Sequence, residues 1–93
     1  MVVGVLTLRL IIAEAHSLKD KRQCLRSIRD RLRTGFNVSV AEVDCQDVWQ
    51  TAVLGVCAVG SDRSYVEGLL DSVITLVRSS RQVVLAKAEK EFV

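Results

Sequence analysis

Residues 2–35 decide the fold, and they read VVGVLTLRLIIAEAHSLKDKRQCLRSIRDRLRTG. The first part, residues 2–14, is rich in β-branched and apolar residues, which predicts a central strand. Its even positions are wholly apolar apart from Gly4 and Glu14, whereas its odd positions include Thr7 and Arg9. Because successive side chains of a strand point to opposite faces, one face of this strand is expected to contact the core and the other to be wetter.

The second part of this stretch predicts a basic helix. Ser17 suits the N-cap, with Asp20 three residues later as a capping-box partner, and Gly35 suits the C-terminal end. Between them, apolar residues recur at helical spacing and are expected to be buried. These residues are Leu18, Leu25, Ile28 and Leu32.

The remaining chain predicts three more strands and a second helix. Residues 36–43 and 50–59 read as strands joined by a polar segment, which indicates a hairpin. Ser61 or Asp62 caps the second helix, and residues 83–93 form a last strand whose charges suit a sheet edge. The order β-α-β-β-α-β predicts an α+β, ferredoxin-like fold. Its antiparallel four-stranded sheet is expected in the order 4-1-3-2, with both helices on one face.

Length and composition exclude several classes of protein. A chain of 93 residues suffices for one domain, which is expected to span residues 1–93. The longest uncharged stretch, residues 48–61, is 14 residues long, and a membrane-spanning helix needs roughly 18 or more. Arg9 interrupts the apolar N-terminus, so no secretory signal is predicted and a cytoplasmic location is expected.

The cysteines do not predict a cofactor or a metal. Cys24, Cys45 and Cys57 are odd in number and form no Cys-x-x-Cys pair that would chelate zinc or carry redox chemistry. We therefore expect reduced thiols, with Cys57 inside a strand and Cys45 near a loop. No cofactor, no metal site and no membrane partner are predicted.

The charges are unevenly distributed along the chain. Residues 18–33 hold seven basic and two acidic residues, a local charge of +5, while the remainder sums to −3. Five of the basic residues fall at spacings of three and four, which places them in one stripe about 20 Å long on the helix. Such a stripe suits contact with a phosphate backbone, or it is a solvated face whose arginines pair with acidic residues. This basic stripe consists of Lys19, Arg22, Arg26, Arg29 and Arg33.

Cations also crowd the start of this helix, where the helix dipole already presents positive charge. Lys19, Lys21 and Arg22 are mildly destabilising there. Either Asp44 and Asp47 of the hairpin compensate them, or the site awaits an anion such as a phosphate. The sequence leaves both alternatives open.

The topology gathers a polar corner at one end of the sheet, where the first strand ends, the first helix begins and the hairpin turns over. Ser17 directly follows His16 and is better used as the helix cap than as a nucleophile, so no catalytic residue is predicted. One imidazole with two carboxylates is a weak metal signature, and hydrogen bonds that fix the corner are the alternative. The predicted neighbours are His16, Ser17, Asp44, Asp47 and Trp49, together with Lys19 and Arg81.

Several motifs resemble the YlxP-like family of small bacterial proteins. They are HSLKDKR at residues 16–22, FNVSVAEVD at 36–44, QDVWQ at 46–50 and the Leu54-Gly55 pair. The resemblance implies a ferredoxin-like fold and brings no established activity. Genes of that family often lie beside those of translation and ribosome-maturation factors, so the resemblance supports a function only by association.

Two functions of different classes follow as the main hypotheses. The first is a non-enzymatic RNA- or ribosome-associated factor that contacts phosphates through the basic stripe. The alternative is a dimerising protein-interaction scaffold that uses the open face of the sheet, since a partly apolar face suits another subunit. Trp49 lies only at one end of that face, where it is available to cover the core, so base stacking on the sheet is disfavoured. The predicted face comprises Val3, Val5, Thr7, Arg9, Ile11, Val53 and Cys57.

Overall fold

The sheet is built around the first strand. A computed structural model describes all 93 residues. The elements in chain order are β1 (Val2–Ile11), α1 (Leu18–Gly35), β2 (Ser39–Asp44), β3 (Thr51–Gly60), α2 (Arg63–Ser79) and β4 (Val84–Phe92). They form an antiparallel sheet in the order β2-β3-β1-β4. The predicted ferredoxin-like fold and strand order are therefore confirmed.

The core lies between the sheet and the two helices. Leu6, Leu8 and Leu10 of β1 are fully buried, which confirms the alternation read from the sequence. Gly4 lets α2 approach the sheet closely, because a Cβ at this position would lie 2.5 Å from Val66 Cγ1. The buried apolar residues form a single cluster of 19. Neither helix combines the length and the apolar character that crossing a membrane requires.

Three strands are shorter than predicted: β1, β2 and β4, the last of which spans Val84–Phe92 rather than residues 83–93. Neighbouring backbone explains the differences in β1 and β2. The first strand ends at Ile11 rather than residue 14, because Thr51, its last partner on β3, is the first residue of that strand. The second strand begins at Ser39 rather than Phe36. The backbone N–H of Phe36 instead donates to the carbonyl of Leu32 at 2.9 Å and ends the helix.

The predicted N-caps of both helices are present, and α1 ends at Gly35 with Phe36 as its C-cap. Ser17 Oγ accepts a hydrogen bond from the backbone N–H of Asp20, and Asp62 accepts one from that of Tyr65, both at 3.1 Å. The Asp20 carboxylate reaches back to the backbone N–H of His16 rather than to that of the cap residue. Each cap satisfies a donor that the first turn of a helix leaves without a partner.

The two edge strands are protected in different ways. Strand β4 carries exposed charges, as predicted, and Lys90 on it binds Asp71 and Glu67 of α2 at 2.7 and 3.2 Å. These hydrogen bonds, chiefly that of Asp71, raise the pKa of the Lys90 ammonium above its ordinary value. On the opposite edge, the Arg33 guanidinium of α1 donates to the carbonyl of Val40 in β2 at 2.8 Å. Charged groups on edge strands discourage pairing with another sheet.

Candidate nucleic-acid interface

The basic stripe lies on the flank of α1 that borders the edge strand β2. The hydrogen bond from Arg33 to Val40 fixes this side of the helix, because it joins the last turn of α1 to the second residue of β2. Lys19, Arg22 and Arg26 are exposed to solvent along the same flank. The stripe therefore extends along one side of the molecule for about 21 Å, at roughly 1.5 Å of helix rise per residue.

No residue of the basic stripe belongs to an ion pair. The four ion pairs of the molecule join Lys21 to Glu42, Lys87 to Glu89, and Lys90 to both Glu67 and Asp71. Each stripe residue therefore lies outside ion-pairing distance of every carboxylate. The alternative interpretation requires its arginines to pair with acidic residues, and the structure contains no such pair.

Two of the five stripe residues are partly occupied by the protein itself. Arg33 donates through Nη2 to the carbonyl of Val40, and Arg29 is half-buried with its Nε enclosed and unpartnered. A guanidinium has five N–H donors, so Arg33 retains four for other acceptors. Lys19, Arg22 and Arg26 form the fully available part of the stripe.

Lys21 does not belong to the exposed cationic surface. Its side chain is only 1% exposed, and its Nζ lies 2.8 Å from Glu42 Oε2 and donates to the carbonyl of Cys45 at 2.5 Å. The prediction that Asp44 or Asp47 compensates the cations is therefore wrong for Lys21, because Glu42 is its partner. Neither of those aspartates forms an ion pair.

The sequence does contain a signal for this buried lysine. Lys21 precedes Leu25 by four residues and Ile28 by seven, so it shares the apolar face of the helix. A charged residue on a buried face requires a charged partner. Glu42 on the neighbouring strand provides it, and the Glu42 side chain is 18% exposed.

The segment between β2 and β3 is held in a defined conformation. Cys45 has a φ of 60°, and Asp44 Oδ1 accepts a hydrogen bond from its backbone N–H at 2.7 Å. The Cys45 carbonyl accepts from the backbone N–H of Val48 at 3.1 Å as well as from Lys21. A left-handed conformation in a non-glycine residue persists only where surrounding contacts enforce it.

Gln50 is a structural residue of the corner that the sequence did not predict. Its Nε2 donates to the carbonyls of Ala13 and Ala15 at 3.1 and 3.2 Å. Its own carbonyl accepts a hydrogen bond from the backbone N–H of Ile12 at 2.9 Å. Gln50 thus joins the segment before β3 to the segment between β1 and α1.

The structure brings together only part of the predicted polar corner. His16, Asp47 and Trp49 line one shallow cavity of about 540 Å³. Ser17 is engaged as the helix cap, and Asp44 accepts a hydrogen bond from its neighbour in the chain. Arg81 instead borders a separate cavity of about 340 Å³, together with Glu14 and Asp20. No group of three or more His, Cys, Asp or Glu side chains is placed to hold a metal ion.

Trp49 does not cover the core. Its side chain is 51% exposed, and it belongs neither to the buried cluster nor to the apolar residues packed against that cluster. The expectation that it covers the core at the hairpin end is therefore wrong. Gln50, the next residue, joins the segment that carries Trp49 to the β1–α1 segment.

The face of the sheet opposite the helices is divided into an apolar and a charged part. A shallow cavity of about 240 Å³ lies over β2 and β3 and is lined mainly by apolar side chains, among them Val5, Val43 and Cys57. Nearer β4, Arg9, Lys87 and Glu89 replace them. Of the predicted residues, Val53 is nearly buried, because it lies beneath this charged group.

The three cysteines are free thiols in the structure, with Cys57 in β3 and Cys45 in the segment after β2, as expected. Cys24 lies within α1 and is buried. Burial raises the pKa of the Cys24 thiol, because it disfavours the charged thiolate. Its position suits packing rather than nucleophilic chemistry.

The fold and this surface define a class: a small α+β protein of ferredoxin-like topology with an unpaired basic helix flank. The chain belongs to the family described as "Protein of unknown function (DUF503)", whose match covers residues 3–90. It is 37% identical over 81 residues to the "Uncharacterized protein YlxP" of Bacillus subtilis (strain 168), an alignment that covers 87% of this chain and 88% of that protein. The resemblance to YlxP-like proteins read from the sequence is confirmed.

Proposed function

We propose that this protein is a non-enzymatic factor that binds RNA, free or within the ribosome, through phosphate contacts of the basic stripe. The observation that carries the proposal is that none of the five stripe residues is engaged in an ion pair. In a protein with nine acidic residues outside α1, unpaired cations on one flank favour an external polyanion. Such a factor is proposed to act in the cytoplasm, where RNA and ribosomes are available.

The shape of the stripe supports a phosphate backbone rather than a single anion. Its side chains are spread over about four turns of α1 instead of converging on one point. A helix flank of this kind matches the repeating charges of a nucleic acid. Phosphate contacts carry no sequence information, so binding through the stripe is expected to show little sequence preference.

The salt dependence of RNA binding tests this proposal. We expect log affinity for a single-stranded RNA to fall linearly with log salt concentration, with a slope of about −3.5 if all five residues contact phosphates and about −2 if only three do, at roughly −0.7 per contact. Fluorescence anisotropy of a labelled RNA at several NaCl concentrations measures the slope. Sedimentation with ribosomes at low and high salt extends the measurement to the assembled particle. No binding at low salt, or binding that salt does not weaken, would overturn the proposal.

The apolar part of the open sheet face supports a second candidate function, a scaffold that pairs with a second copy of the chain. Val43 and Val59 are more than half exposed there, beside the shallow apolar cavity. Sedimentation equilibrium is expected to give a dimer that Val43→Glu converts to a monomer, because a buried unpaired carboxylate would oppose association. A strict monomer at high protein concentration would eliminate this candidate.

A further inference from the structure

Trp49 is the single tryptophan of the chain, and it lies half-exposed at the surface. The neighbouring Val48 is also about half-exposed, and both residues line the open cavity beside His16. An indole gains most of its stabilising effect when its large apolar surface is buried. Much of the Trp49 surface is not buried, so its exposure indicates a role other than packing.

The indole is presented by a rigid segment rather than a loose loop. Gln50, the next residue, donates two hydrogen bonds to backbone carbonyls of the segment that precedes α1. The Cys45 carbonyl accepts hydrogen bonds from the Lys21 ammonium and from the backbone N–H of Val48. These contacts hold the segment at both ends. A ligand that stacks on Trp49 would therefore lose little free energy to ordering of the protein.

Trp49 lies near the N-terminal end of α1, where the basic stripe begins. Lys21, in the first turn of α1, contacts the segment that carries Trp49, and His16, on the same cavity as Trp49, directly precedes the helix cap. Lys19, the first residue of the stripe, follows two residues after that cap. An RNA whose phosphates follow the stripe would thus bring its end, or its next nucleotide, to the indole.

We infer that Trp49 stacks on an unpaired base of single-stranded RNA whose phosphates lie on the basic stripe; this rests on the proposed RNA binding. Every base has a π-face, so an exposed aromatic side chain beside a cationic track binds single strands with little sequence preference. Bases within a duplex are already stacked and paired and are not free to reach the indole. The ligand class is therefore single-stranded rather than duplex RNA, and His16 provides a second ring at the border of the same cavity.

The fluorescence of Trp49 reports stacking directly, because no other tryptophan contributes. We propose titration of the wild-type protein with an oligouridylate of about 12 nucleotides, within the site sizes known for single-strand binders, and with an RNA duplex of the same length. The single strand is expected to quench Trp49 emission in step with binding. The duplex is expected to bind through phosphates without this quenching.

Variants then measure the contribution of the indole, by anisotropy of the labelled RNA. Trp49→Ala is expected to weaken single-strand binding by about 5- to 150-fold, corresponding to stacking of one base. Its duplex affinity and its salt slope for duplex should stay as in the wild type, and Trp49→Phe should retain most single-strand affinity. The matched control is Tyr65→Ala, which removes an exposed aromatic residue at the opposite end of the sheet, near Gly60.

The outcomes separate this inference from the proposed function. Two results together would overturn the stacking role and leave the phosphate contacts intact. They are salt-dependent binding of the single strand without quenching of Trp49, and a Trp49→Ala variant whose single-strand affinity equals that of the wild type. Equal loss of single-strand and duplex affinity in Trp49→Ala would also overturn it, since stacking on an unpaired base cannot affect a duplex. Absence of any salt-dependent RNA binding would overturn both proposals.

Discussion

Replacement of Lys21 by methionine is expected to lower the free energy of unfolding by about 3 kcal/mol, the lower end of the range for breaking a buried ion pair. The substitution keeps the approximate length of the side chain but removes the only ion-pair partner of Glu42, whose side chain is 18% exposed. It also removes the hydrogen bond that Lys21 Nζ donates to the carbonyl of Cys45. Urea unfolding at neutral pH, followed by circular dichroism, measures the change.

Lys19→Met provides the matched control, because Lys19 is on the same helix but is exposed and unpaired. It is expected to change stability by less than about 0.5 kcal/mol, as surface substitutions usually do. The double variant Lys21→Met/Glu42→Leu should lose less stability than the sum of the two single variants, because removing both charges leaves neither buried alone. A cost below about 1 kcal/mol for Lys21→Met would contradict the role assigned to this pair.

Reversal of the three exposed stripe residues in the variant Lys19→Glu/Arg22→Glu/Arg26→Glu is expected to weaken RNA binding by about 100-fold or more at 0.1 M salt. Each phosphate contact raises the affinity by roughly 0.7 log units for each tenfold decrease in salt concentration. Three contacts therefore make the affinity at 0.1 M salt about 100-fold higher than at 1 M, and the variant loses this gain. Repulsion by the new carboxylates adds to this loss. Anisotropy titrations at matched salt concentrations measure it, and the salt slope should become shallower.

The folded state should tolerate this triple reversal. All three side chains are exposed and unpaired, and acidic residues near the start of a helix interact favourably with its dipole. A variant with the same change in net charge at Arg78, Arg81 and Lys87 is the control, because these residues lie outside the stripe. Equal loss of affinity in both variants would indicate attraction by overall charge. An unchanged affinity in the stripe variant would exclude the stripe from binding.

Two lysines separated by one residue therefore have opposite roles. Lys19 is available to an external ligand, whereas Lys21 ties α1 to β2 and to the segment that carries Trp49. The Lys21–Glu42 pair thus supports the candidate interface without being part of its surface. Its loss is expected to act on stability and on the position of Trp49 more than on the phosphate contacts.

The order and nature of the secondary structure could be read from local sequence. The alternation in residues 2–11, the cap residues Ser17 and Asp62, and the helical spacing of the apolar residues each depend on near neighbours in the chain. The order 4-1-3-2 followed from the handedness of the connections. The strand ends were less predictable, because Thr51 determines where β1 stops pairing.

The candidate site was predicted only in outline. The basic stripe follows from helical spacing alone, so its five members were identified before their surroundings were known. Which of the five are free of contacts within the protein was not predictable. The bond from Arg33 to the Val40 carbonyl and the enclosure of the Arg29 Nε both arise from the packing of α1 on its neighbours. The exposure of Trp49 was likewise not predictable, because it depends on how the segment between β2 and β3 packs against the rest of the molecule.

The ferredoxin-like topology, the buried face of each helix and the alignment of five cations on one flank could be inferred from local sequence, since these depend on periodicity and on short connections. The three-dimensional packing was needed to show that Glu42 is the partner of Lys21, that no stripe residue is in an ion pair, and that Trp49 is exposed. These features join residues distant in the chain, and their energies depend on burial and on distances between atoms, which sequence spacing does not contain.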